Sequence, residues 1–124
     1  MISVDHVRLM ARYNRWQNGS IDNAAATLTD ADRKADQGAF FGSVHGTLSH
    51  LLWGDQIWMH RFAGTGAPVA ETISQSKEMV ADWDRLDAQR QATDQTISDW
   101  AVGLEPSWLI GDLTWLSGAA GREI

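Results

Sequence analysis

Ser43-Val44-His45-Gly46-Thr47-Leu48-Ser49-His50-Leu51-Leu52-Trp53-Gly54-Asp55-Gln56-Ile57-Trp58-Met59-His60-Arg61-Phe62 is the stretch that decides the fold. Ser43 offers a side-chain oxygen where a helix needs an N-cap, and Gly64, Gly66 and Pro68 close the segment behind it. On a wheel of about 100° per residue, Val44, Leu48, Leu51, Leu52, Met59 and Phe62 gather on one side, with His45, Ser49, Gln56 and His60 roughly opposite. That is an amphipathic helix with one buried side, and it predicts His45 and His60 at the surface.

Two further helical segments flank it. The first runs from about Val4 to Leu28, with Leu9, Tyr13, Trp16, Ser20 and Ala24 in one row. Val4, Val7, Ala11, Asn14, Asn18, Ile21, Ala25 and Leu28 form the row beside it. Thr29-Asp30 begins a polar connection that ends in Gly38-Ala39-Phe40-Phe41-Gly42. The third helix begins between Glu71 and Lys77 and ends at Gly103 and Pro106. It carries Met79, Trp83, Leu86, Arg90, Thr93, Ile97, Trp100 and Leu104 at alternating spacings of four and three, the pattern of bundle packing. Leu113-Thr114-Trp115-Leu116 reads as a strand and Ser117 to Gly121 as a turn, the chain stopping where a partner strand would begin. The expected architecture is all-α, an up-and-down bundle in a single domain over residues 1–124, with three helices and a short C-terminal strand and turn.

Composition narrows the function. The 124 residues hold 10 Lys and Arg against 16 Asp and Glu, a net charge of −6 that argues against nucleic acid as the main partner. The absence of cysteine rules out disulfides, thiolate zinc sites and a thiol nucleophile from this chain. No apolar run approaches the length of a membrane span, and Asp5, His6, Arg8 and Arg12 break up the N-terminus, so the default expectation is a cytoplasmic protein. Seven Trp promise a core or groove with large aromatic surfaces. There is no Gly-rich phosphate loop, no Gly-x-Ser-x-Gly elbow and no His-Glu-x-x-His.

The central helix carries the candidate chemistry. His50 lies away from the polar row, beside Gly54 and Ile57, on the flank where the helix turns toward a neighbour. Gly54 one turn on removes bulk beside the imidazole, leaving room for an ion or small ligand. The competing reading is a core-edge His hydrogen-bonded to a carbonyl or carboxylate, since one His does not make a metal site. Asp55 falls in the middle of the apolar side and needs a partner, for which Arg90 and Asn14 are the candidates. It reads as a structural lock, or else as a group that orients the edge of a site. His50 and Asp55 differ by about 140° on the wheel, too far apart to grip one ion together.

Tyr13-Asn14-Arg15-Trp16-Gln17-Asn18, the block from Gly38 to Trp58, and Leu113-Thr114-Trp115-Leu116 with Gly121-Arg122-Glu123 resemble the DinB family, the damage-inducible DinB/YfiT-like bacterial proteins. The resemblance implies a four-helix bundle, often a homodimer, that holds a divalent metal such as nickel or zinc on three His. Relatives include transferases and isomerases that use low-molecular-weight thiols, which implies a small-molecule thiol substrate. One ligand comes from the second helix in a His-Leu-Leu context, matched here by His50; the others come from a His-x-x-x-His on a final helix. No His follows His60 in this sequence, so the triad is not completed within it. The expectation is a truncated chain, a member that has lost its site, or a site completed by a partner chain. The rival to a metal-dependent enzyme is a non-catalytic helical module that dimerises or recruits a further helix. A haem-binding bundle is a third reading, resting on His50 and the nearby aromatics.

Overall fold

The computed structural model describes residues 1–118 and 120–124. Three long helices dominate: α1 (Val4–Ala26), α3 (Val44–Ala63) and α5 (Trp83–Val102), with two short ones between them, α2 (Asp30–Lys34) and α4 (Ile73–Ser76). A 3-10 turn at Pro106–Ile110 leads into β1 (Leu116–Ser117) and β2 (Arg122–Glu123). The fold is all-α, and α5 is its centre, packing against both α1 and α3.

Each helix starts where a short polar side chain accepts an orphan amide. Ser3 takes the His6 amide, Thr29 that of Asp32, Ser43 that of Gly46, Thr72 that of Gln75 and Asp82 that of Arg85. The C-terminus of α3 is closed by Gly64, left-handed at φ 68°, with His60 and Arg61 in the last turn where positive charge meets the negative end of the dipole.

Several boundaries differ from the sequence reading. Helix α1 stops at Ala26, and the polar connection behind it folds into α2 because Thr29 caps a turn with Asp30 and Asp32 at its start and Arg33 and Lys34 at its end. The single third helix is two helices. One turn at Ile73–Ser76 breaks off, and Asp82 caps a new start at Trp83. From Trp83 onward the predicted seam holds, with Trp83, Leu86, Arg90 and Leu104 all buried. The C-terminal strand is shorter than expected and its partner lies within the chain: Leu116 pairs with Glu123 and Ser117 with Arg122, antiparallel. Ala119, in the expected turn, lies outside the described residues.

The core joins Ala25 of α1, Leu48 and Leu52 of α3, Trp83 and Leu86 of α5 and Val80 before it. At the far end of α3 a second cluster forms, where Phe62 stacks on Trp100 at 5.6 Å and meets the edge of Trp108 at 5.4 Å. Trp58 meets Trp115 edge-on at 5.2 Å, which docks the C-terminal segment on the helix. Of the expected α1 row, Val4, Val7, Ala11, Asn14, Asn18 and Ala25 face inward, while Ile21 and Leu28 are exposed. The sister row does not face inward. Leu9, Tyr13 and Trp16 are 53%, 52% and 66% exposed, an apolar face without cover among the described residues.

Candidate functional site

The flank of α3 expected to face water is instead covered by the segment from Ala70 to Val80. Four side chains bind this segment down in register. His45 Nε2 donates to the Val80 carbonyl at 2.7 Å, and Ser49 Oγ donates to the Ser76 carbonyl at 2.6 Å. His50 Nδ1 lies 2.8 Å from Ser76 Oγ, and Trp53 Nε1 donates to the Ala70 carbonyl at 2.8 Å. His45 is therefore buried, 4% exposed, which corrects the surface placement. Its Nε2 satisfies a backbone carbonyl of a strap whose own helix is the single turn α4. His60 is exposed as expected, its Nδ1 against the Thr65 carbonyl.

His50 sits half-buried at the edge of this strap. Its ring stacks on Phe41 at 3.8 Å between centroids, with 17° between planes, and lies near-parallel to Trp53 at 5.7 Å. Phe41 reaches it because Gly46 lets the 38–43 turn lie directly on the start of α3; a Cβ there would run into the Phe41 carbonyl. A Cβ at Gly54, one turn along from His50, would meet nothing within 4 Å. The polar partner is a hydroxyl, Ser76, rather than the carbonyl or carboxylate of the competing reading. Nε2 takes no hydrogen bond from the described residues, and desolvation lowers the pKa of the ring, favouring neutral imidazole. Ser76 went unnoticed in the sequence because it ends a one-turn helix too short to show a period.

Asp55 belongs to a different constellation. Its Oδ2 accepts from Asn14 Nδ2 at 3.1 Å and from Arg90 Nη2 at 2.6 Å, the two partners expected. Arg90 also donates from Nε and Nη2 to Asp94 at 3.0 and 2.6 Å, and Asn18 donates to the same Asp94 oxygen at 2.8 Å. Asp22, buried on α1, lies against Asp87 and is pushed up to about 7, first by burial and then by sharing a proton with that carboxylate. Burial likewise raises Asp94 despite the Arg90 charge beside it. Asp22 and Asp94 escaped the sequence reading because neither interrupts an apolar row as Asp55 does. Asp55 bonds to α1 and α5 while His50 bonds to α4, so the structure keeps the two apart.

Asp55 also looks into a groove of about 390 Å³ between α1, α3 and α5, walled by Met10, Tyr13, Trp58, Phe62 and Trp100. Among the described residues no three His, Cys, Asp or Glu gather closely enough to hold a metal ion. No helix among them is long and apolar enough to cross a membrane.

A family model described as the DinB family matches residues 3–107. No curated protein and no solved structure matches the chain.

Proposed function

The chain belongs to the DinB family, and from that premise we propose that His50 is one nitrogen ligand of a divalent-metal centre, nickel or zinc, in an enzyme acting with a small thiol. The observation that carries this reading is the His50 ring itself. It is anchored through Nδ1, stacked on Phe41 and favoured in its neutral form by desolvation, and its Nε2 takes no hydrogen bond from the described residues. A metal-ligating imidazole needs those properties: a neutral ring and a second nitrogen held by a neighbour.

The residues present fit one corner of such a centre and not the whole of it, since no second or third donor gathers at His50 among the described residues. Further donors would have to come from outside them, from more chain or from a second copy. When bound, the ion would supply Lewis acidity toward a thiol or water. The chain's own contribution is to orient one ligand through Ser76 and the rings of Phe41 and Trp53. The test is the divalent metal content of purified protein, wild type against His50→Ala. Stoichiometric metal in the wild type alone supports the reading; equal content in both removes it.

A second reading, a helical association module that self-pairs as a homodimer, is favoured by the apolar face of α1 and the aromatic groove beside it. Sedimentation decides it. A monomer at all concentrations, with a cooperative melt, counts against self-association.

A further inference from the structure

We propose that Ser76 sets the tautomer of His50, holding the ring proton on Nδ1 and leaving Nε2 as a bare lone pair. Ser76 is thus a positioning residue for the ligand role of His50; the inference rests on that reading for its use, while its geometry stands independently.

The argument is a count of protons. The Ser76 side chain is fully buried, and its hydroxyl has one hydrogen for two close neighbours. One neighbour is the Ile73 carbonyl at 2.5 Å, which can only accept. The other is His50 Nδ1 at 2.8 Å. If the hydroxyl proton turned to Nδ1, two oxygens would face each other at 2.5 Å with no hydrogen between them. The proton therefore goes to Ile73, the Ser76 oxygen offers a lone pair, and Nδ1 must carry the hydrogen it accepts. Ser76 cannot swing away, because its own carbonyl is held by Ser49 Oγ at 2.6 Å and its turn is capped by Thr72. Stacking on Phe41 fixes the plane of the ring.

The neutral ring of a free histidine side chain in water prefers its hydrogen on Nε2, so Ser76 reverses the default. His45, on the same flank, shows the contrast. Its Nε2 donates to the Val80 carbonyl, and its Nδ1 is buried without a partner. One strap thus holds two histidines in opposite tautomers, and His50 is the one whose Nε2 carries no hydrogen.

The test reads nitrogen–proton correlations of the imidazoles in nitrogen-15-labelled, metal-free protein at about pH 8, above the ordinary histidine range. Wild-type His50 should report Nδ1–H and His45 Nε2–H. In Ser76→Ala the major His50 form should change to Nε2–H with His45 unmoved; Ser76→Thr, which keeps the hydroxyl, should restore Nδ1–H. Should Ser76→Ala fail to fold, the wild-type spectrum decides by itself. An Nε2–H ring at His50 in the wild type, or an Nδ1–H ring that persists in a folded Ser76→Ala, overturns the proposal. The metal reading stands or falls separately. No metal uptake with His50 in the Nδ1–H form removes that reading and leaves Ser76 in its role; His50-dependent uptake by an Nε2–H ring does the reverse.

Discussion

Arg90 on α5 reaches across to Asp55 on α3 with Nη2 2.6 Å from Oδ2, and the same nitrogen lies 2.6 Å from Asp94 one turn along its own helix. One guanidinium, 4% exposed, thus serves two carboxylates where the three long helices meet. Removing it leaves both acids without their counter-charge, the costly way to break a buried ion pair. Arg90→Met should destabilise the fold by about 3–5 kcal/mol in urea denaturation. Adding Asp55→Asn and Asp94→Asn to the same chain should recover much of that loss. A loss under about 1 kcal/mol for the single variant would mean the network contributes no more than a surface pair.

The acid beside that network gives stability an unusual direction with pH. Asp22 is raised from 3.8 to about 7 in the folded chain, so the native state holds a proton that the unfolded state releases. Its contribution is complete below the unfolded pKa and is lost as pH rises through the folded one. Between those limits the Asp22 contribution should fall by up to about 1.4 kcal/mol per pH unit. Asp22→Asn, neutral at every pH, should be more stable relative to wild type at pH 8 than at pH 5, by denaturant titration. A constant difference between the two proteins across that range would remove Asp22 as the source.

Gly46 lets the Phe41 turn press onto α3, and the stacking of Phe41 on His50 depends on that approach. Gly46→Ala should force the turn outward, costing roughly 1–3 kcal/mol in stability. It should also take His50 out of the Phe41 ring current, visible as a change in the imidazole proton shifts. An unmoved ring with an unchanged melt would show that the turn yields without strain.

Arg61 lies over the Trp58 ring at 4.5 Å and the Trp115 ring at 5.5 Å, linking the C-terminal hairpin segment to α3. Arg61→Ala should cost about 0.5–1 kcal/mol and alter tryptophan fluorescence as Trp115 loosens. Fluorescence identical to wild type would separate Arg61 from the docking of this segment.

What the sequence made legible follows from which signals are local. Asp55 announced its partners because a charge inside an apolar stripe must be compensated, and Asn14 and Arg90 were the polar residues interrupting the facing stripes. The α5 seam was legible for the same reason, as a period sustained over several turns. His45 and Ser49 were misplaced because a helical wheel separates polar from apolar sides without revealing what covers either. The cover is a strap whose bonds run from side chains to backbone, and backbone acceptors carry no sequence signature. Two-residue strands such as Leu116–Ser117 and Arg122–Glu123 are likewise too short to show alternation.

The strap also ties the chain's tolerance for length to its chemistry. Positions 45, 49 and 53 of α3 meet positions 80, 76 and 70 in reverse order, so the spacing along one is answered by spacing along the other. An added residue between Gly64 and Ala70 would only widen an open loop. One inserted between Ala70 and Val80 would put the anchors on its two sides out of step with α3, so gaps among descendants of this gene should cluster before Ala70 and be rare after it.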